Sequence, residues 1–323
     1  VQRRQILATG AAFAAALAAP ALAQTFPSRP VRIIVPYGAG GATDIVARIM
    51  AEHASREAGQ SFIVENRGGG ASIPGTQAVA TSTPDGYTIG FIDTAIVINP
   101  GLFAARLPYD TERDLAPVGL VASAPLLFAA HPRFGAATLP EVVAFARANP
   151  DVLNIGHAGN GTAIHLASAQ FLLAGAIRGA LIAYRGGGPM LAGLLSHDVD
   201  VAFSSIPAVK PHVDGGRLRA LGVTSPRPSP VMPDVPTFAS AGLDAVDAQP
   251  FFGVVAPSGT PPEILDRLNT LLVAPARQAQ VATRLAGIGY EVEATDRARF
   301  AAIIAEDTAK WRGVITRSGI TAD

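Results

Sequence analysis

The 323-residue chain is 49% apolar and 15% charged, and its 25 basic and 25 acidic side chains cancel. Having no cysteine, it excludes a disulfide scaffold, a thiolate zinc site and a cysteine nucleophile. Having no basic tract, it argues against nucleic acid as a partner.

The first residues read as a targeting segment. Gln2-Arg3-Arg4-Gln5 is cationic, residues 6–19 are apolar and alanine-rich, and Ala21-Leu22-Ala23 has the small-x-small form of a cleavage site. Together they describe a signal peptide over residues 1–23. The paired arginines fit the twin-arginine route and an ordinary secretory signal alike. The run falls short of the ~20 strongly apolar residues of a membrane anchor. An exported, soluble, periplasmic protein is expected. The ~300 residues that follow are long for one core and comfortable for two lobes of ~100–150 residues each.

From Val31 the chain alternates strand-like and helix-like runs. Val31–Val35 reads as a strand broken only by Arg32. Residues 45–58 read as a helix capped by Thr43 or Asp44 and ended by Gly59. Residues 61–65 and 87–92 read as further strands, and buried runs joined through helices argue for parallel βαβ units.

A second series starts with a strand at Leu126–Ala130. Thr138-Leu139-Pro140-Glu141 forms a capping box opening a helix to Ala148. Strands at 153–156, 180–184 and 199–203 alternate with helices at 162–173 and 189–195, repeating the order of the first series, and a strand at 218–223 follows. Residues 224–236 hold five prolines and read as a connector. The tail adds a strand at 251–256, a capping box at Thr260-Pro261-Pro262-Glu263 opening a helix through Leu272, and a short strand at 290–292. A long helix at 296–315 carries Phe300, Ile303, Ile304 and Trp311 toward the first lobe. The expectation is an α/β fold of two lobes, each a mostly parallel sheet flanked by helices, with a ligand cleft between them. Lobe one takes residues 24–124 and 226–323, and lobe two takes 125–225.

Two glycine-rich turns hold equivalent places in the two series. Tyr37-Gly38-Ala39-Gly40-Gly41-Ala42-Thr43-Asp44 follows the first strand, and His157-Ala158-Gly159-Asn160-Gly161-Thr162 follows its counterpart. Each opens a helix. A helix N-terminus carries unpaired N–H groups and about half a positive charge, and glycine lets a ligand approach the backbone. Gly40, Gly41 and Ala42 supply such groups in one turn, with the Thr43 hydroxyl beside them. Gly159, Asn160 and Gly161 do so in the other, beside Thr162. Neither turn holds Lys or Arg, so an anion would be held by backbone dipoles, hydroxyls and water. The dinucleotide fingerprint fails at Thr43, where its third Gly should stand, and no Gly-Lys-Ser/Thr phosphate loop occurs.

Other candidates surround these turns. Asn66-Arg67-Gly68-Gly69-Gly70 and Tyr184-Arg185-Gly186-Gly187-Gly188 follow the second strand of each series. Arg67 and Arg185 are candidates to face an acid, and Tyr37 and Tyr184 to line the cleft walls. Ser204 and Ser205 end a strand and are placed to point into the cleft. His157 reads as a polar cleft contact and His165 as a helix position. No third ligand accompanies the histidines at metal-site spacing. No Gly-x-Ser-x-Gly elbow or pair of carboxylates marks catalysis, so neither a metal, a cofactor nor enzyme activity is expected.

The chain resembles the Bug (TctC-like) family of extracytoplasmic solute-binding proteins, which serve tripartite tricarboxylate transporters. The resemblance rests on an ordered set: Arg29-Pro30-Val31-Arg32-Ile33-Ile34-Val35-Pro36 with the first turn, Val64-Glu65-Asn66-Arg67, Thr83-Pro84-Asp85-Gly86-Tyr87-Thr88, Leu107-Pro108-Tyr109-Asp110, the second turn with His165-Leu166-Ala167, Pro233-Asp234-Val235-Pro236-Thr237, and residues 252–261. It implies a type II periplasmic-binding-protein fold. It also implies a ligand carboxylate held between the first turn (Tyr37 to Asp44) and the second (His157 to Thr162), largely by backbone groups and bridging waters. Ala42 stands where many relatives have Ser or Thr, and His157 where small residues are frequent. Asp93 and Thr94 fall in a loop that varies among relatives, and Thr94 joins the candidate ligand contacts. The expected partners are a small organic acid and the small and large integral membrane subunits of a transporter. A monomer is expected. A ligand sensor signalling to a membrane partner is the alternative, and a periplasmic hydrolase a third reading.

Overall fold

A computed structural model describes residues 26–322. The expected signal peptide lies outside the described residues. The chain opens with β1 (Val31–Val35), α1 (Ala42–Ala58), β2 (Phe62–Asn66), α2 (Ile73–Ala80) and β3 (Thr88–Asp93). It continues through α3 (Ala95–Leu102), α4 (Thr111–Asp114) and β4 (Leu115–Ser123). A second body follows: β5 (Leu126–Ala130), α5 (Leu139–Ala148), β6 (Asn154–His157), α6 (Ala163–Gly175) and β7 (Ala180–Ala183). It is completed by α7 (Gly187–Ser196), β8 (Val201–Ser205), α8 (Ile206–Asp214) and β9 (Arg219–Val223). The chain then returns with β10 (Phe251–Pro257), α9 (Pro262–Leu272), α10 (Ala279–Gly287), β11 (Glu291–Val292) and α11 (Arg297–Ser318).

One sheet has the order β11-β4-β10-β3-β1-β2, and the other β7-β6-β8-β5-β9. The internal repeat is visible in both. β1 lies between β2 and β3, parallel to each, and β6 lies between β7 and β8 in the same way. The two-lobe α/β architecture is as expected, but the sheets are mixed rather than mostly parallel. In each, the strands reached from the other lobe run against the βαβ core. β10 pairs antiparallel with β3 and β4, and β5 with β8 and β9.

β4 is the strand that sequence pattern hides, because it contains Pro117 and Gly119. Both residues have a place. β11 covers only the Ala122 and Ser123 end of β4, so Pro117 needs no donor toward that side. Gly119 admits the Asn269 amide, which donates to Val118 O at 2.7 Å and Thr295 O at 3.0 Å. A Cβ at Gly119 would collide with that amide.

Helix starts differ from expectation at two places. α1 begins at Ala42 with Gly41 as its N-cap, and neither Thr43 nor Asp44 caps it. The second capping box is absent: Pro261 is the N-cap of α9, and the Thr260 hydroxyl donates to Pro257 O at 2.8 Å. The Thr138 cap of α5 forms, with Glu141 N–H donating to its hydroxyl at 3.3 Å. α11 buries Phe300, Ile304 and Trp311, and it packs on α3 and β4 of lobe one but also on α6 of lobe two. One apolar core accordingly runs through both lobes, centred on Phe128, Phe171, Phe203 and Phe238.

Candidate functional site

β1 and β3 end, at their C-termini, on one side of a cleft of about 570 Å³, and β6 and β8 end on the other. In an open α/β sheet this edge, where the chain switches direction between neighbouring strands, is where ligands bind.

The first glycine turn is braced from behind. The Asp44 carboxylate, 2% exposed, accepts Gly40 N–H at 2.8 Å, Arg48 Nε at 2.9 Å and Asn66 Nδ2 at 2.9 Å. Asn66 also donates to Tyr37 O at 3.1 Å. Burial alone would raise the Asp44 carboxyl, but the donors from Arg48, Gly40 and Asn66 outweigh it and hold the group below its ordinary range. Gly40 N–H is therefore spent on Asp44. The N-terminus of α1 has no side-chain cap, and Ala42 presents it to the cleft. Tyr37 reaches across to donate to Asp93 Oδ1 at 2.7 Å. Burial, then the Asp93 charge, lifts the phenol well above its ordinary range, so it is a neutral donor.

The second turn is braced differently. Thr162 caps α6, accepting His165 N–H at 3.2 Å and donating to Gly159 O at 2.8 Å. Gly161 N–H donates to His165 Nδ1 at 3.2 Å. His165 stacks on His157 with centroids 4.1 Å apart, and both rings are buried behind the turn. Burial, then the neighbouring His157, lowers the His165 pKa from 6.5 to about 4; burial lowers His157 as well. His165 is thus a neutral acceptor at pH 7. Because its folded value lies below its unfolded one, the stability it contributes is complete above about pH 6.5 and is lost as pH falls toward 4. His165→Asn keeps an acceptor for Gly161 and does not titrate, so urea denaturation should show a flatter loss of stability across that range. An unchanged pH profile in the variant would contradict the assignment.

The turns are not the only helix ends here. Gly187 at the start of α7, Ser205 at the N-cap of α8 and Ala95 at the start of α3 also line the cleft. Neither α7 nor α8 has a side-chain cap. Five positive dipole ends therefore converge, those of α1, α3, α6, α7 and α8. Among the described residues, no Lys, Arg or His lines the cleft. Positive potential comes from backbone N–H groups alone, which suits a small anion. The rest of the wall is largely apolar, with Ile98, Leu102, Phe103, Ile164, Leu191 and Phe252.

Of the expected contacts, Tyr37, Ala42, Thr94, Ala158, Asn160, Gly161, Thr162, Ser204 and Ser205 line the cleft. The Thr94 hydroxyl is engaged, accepting Phe251 N–H at 2.9 Å. Gly40, Gly41, Thr43, Asp44, His157 and Gly159 lie in or behind the turns rather than in the wall. Tyr184 is also elsewhere: its ring packs under α7, where a Cβ on Gly193 would strike it. Arg185 is exposed outside the lining, and Arg67 is paired with Glu65 at 2.6 Å. The sequence reading missed Gly187 and Gly188 as cleft residues, although the glycine run was noted. It also missed Asn99 and Leu102 on α3 and Phe103 at its C-cap, an apolar run containing Pro100 that does not read as a helix.

The sequence model of the tripartite tricarboxylate transporter family receptor (TctC) matches residues 46–320. Protein BugT of Bordetella pertussis is 33% identical over 308 residues, which cover 94% of each chain. Among solved structures, a Rhodopseudomonas palustris protein with adipate is 30% identical and has a TM-score of 0.79 over 92% of this chain and 99% of that one. MatC from the same organism, with bound malate, is 29% identical, with a TM-score of 0.73 over 90% of this chain and 100% of that one.

Proposed function

The chain belongs to the tripartite tricarboxylate transporter receptor family, and on that premise we propose that it is a periplasmic solute-binding protein. It captures a small carboxylate-bearing ligand between its lobes and delivers it to a membrane transporter of the tripartite tricarboxylate type. The observation that carries this reading is the cleft itself, where helix N-termini converge without a basic side chain among the described residues. Relatives with adipate and malate support a carboxylate. Each charge-assisted hydrogen bond contributes about 1.5–3 kcal/mol. Several of them, less the cost of association and closure, give roughly micromolar affinity.

The ligand contacts are those turn and strand-end residues that reach the cleft: Tyr37, Ala42, Ala158, Asn160, Gly161, Thr162, Ser204 and Ser205, joined by Gly187 and Gly188. The chain passes between sheets after Ser123 and after Val223, which supports lobe two as residues 125–225. Among the described residues no helix is long and apolar enough to cross a membrane. We read the protein as a binder rather than an enzyme, in keeping with a family of transporter receptors.

Native mass spectrometry of the purified protein, followed by thermal shift against mono-, di- and aromatic carboxylates, tests the proposal. A copurified organic acid, or stabilisation by at least one acid class, is expected. Stabilisation by neutral sugars and by no acid would overturn it.

A further inference from the structure

A clamp for an anion does not account for Asp93. This residue ends β3 and stands in the wall of the cleft. Its Oδ1 accepts Tyr37 OH at 2.7 Å and Ala95 N–H at 2.9 Å, while the Thr43 hydroxyl lies 3.4 Å from Oδ2. Thr43 belongs to the first turn of α1, so this acid sits beside one jaw of the clamp. The nearest basic group of that jaw, Arg48, is bound to Asp44. No cationic side chain lines the cleft among the described residues, so Asp93 is met only by neutral donors, those of Tyr37, Thr43 and the start of α3. Burial pushes its carboxyl above the ordinary range.

Two negative groups brought together in a desolvated cleft repel each other. A ligand with a second carboxylate would make the imbalance worse. A ligand that carries its own cation removes it, because every charge then has a partner. Beyond these polar groups, Ile98, Leu102, Phe103, Ile164 and Leu191 leave room for an apolar body and offer nothing to a polar one.

We propose that Asp93 is a specificity-determining residue: its carboxylate receives the ammonium of an apolar amino-acid zwitterion, whose own carboxylate is held by the converging helix N-termini. This rests on the solute-binding reading and narrows it. Asp93 also steadies Tyr37 and the start of α3, so the test must separate charge pairing from support.

Calorimetry with L-leucine and L-phenylalanine, against their des-amino counterparts 4-methylpentanoate and 3-phenylpropanoate, makes that separation. Wild type should bind each amino acid at least ~30-fold more tightly than its counterpart, because losing the ammonium leaves Asp93 unpaired. Asp93→Asn keeps an acceptor for Tyr37 and Ala95 but lacks the charge. In it, the preference should fall to within ~3-fold, with the melting temperature held. Des-amino acids binding wild type as well as the amino acids do would overturn the proposal and leave the solute-binding reading standing. Loss of both ligand types alike in Asp93→Asn would overturn it too, by making Asp93 a support. If no amino acid and no acid bound wild type, the carboxylate reading itself would fall.

Discussion

Replacing Gly161 by valine should lower ligand affinity at least ~100-fold, because two independent strains act at one point in the clamp. Gly161 has φ +73°, and a Cβ there would collide with the Leu102 Cδ2 atom. Left-handed backbone costs an L-residue about 1–2 kcal/mol, and a β-branched side chain makes it worse. Gly161 stands at the start of α6 in lobe two, while Leu102 ends α3 in lobe one. Both line the cleft, so Leu102 can yield only into the ligand's space or by opening the lobes. Calorimetry on Gly161→Val, with Leu102→Ala added, would separate the strains: the second change should recover the steric part and leave the backbone part. Gly41→Ala is the contrast. With φ −75° and its nearest neighbour, Gly38 O, 3.6 Å from the new Cβ, it should fold normally. Wild-type affinity in Gly161→Val would count against a closing contact here.

The second large effect is expected at Asp44, a residue that never touches the cleft wall. Asp44→Ala leaves Gly40 N–H and one Asn66 amide N–H without their acceptor, and Arg48 keeps only its bond to Asn66 Oδ1. Orphaned donors of this kind cost about 1–3 kcal/mol each; Arg48 is half exposed and water can take it. A loss of roughly 2–5 kcal/mol in urea denaturation should follow, with weaker ligand binding because the first turn is no longer fixed. The carboxyl's pKa lies below its unfolded value. Its stabilisation is therefore present above the ordinary carboxylate range and lost as pH falls through the lowered value. Asp44→Asn should fall between, since its amide can satisfy Gly40 but faces the Asn66 amide donor. A change under ~0.5 kcal/mol in Asp44→Ala would show that the network contributes little.

Much of the architecture was legible in the sequence because β1, broken only by Arg32, and β10 are apolar runs set off by prolines. What escaped did so for local reasons. β4 carries Pro117 and Gly119, and only the partial cover of β11 and the Asn269 amide make those residues sensible in a strand. α3 is apolar but for Asn99 and holds Pro100, so it shows no periodicity, although it buries Ile96, Val97 and Ile98 in the core. At the site, the two glycine turns were visible as turns. Which N–H groups they leave free was not, because Asp44 and His165 claim Gly40 and Gly161 through contacts that fold-level pattern does not encode. Tyr184 shows the opposite error: its place after a strand suggested the cleft, but the small Gly193 on α7 draws its ring inward.

The central claim is that helix N-termini, without a basic side chain, hold a carboxylate in the cleft. Calorimetry on a matched pair, an acid that stabilises the protein and its primary carboxamide, tests this most directly. The account predicts that the acid binds at least ~100-fold more tightly, since the amide brings a neutral oxygen and two donors to a site made of donors. Equal binding of acid and amide would contradict it.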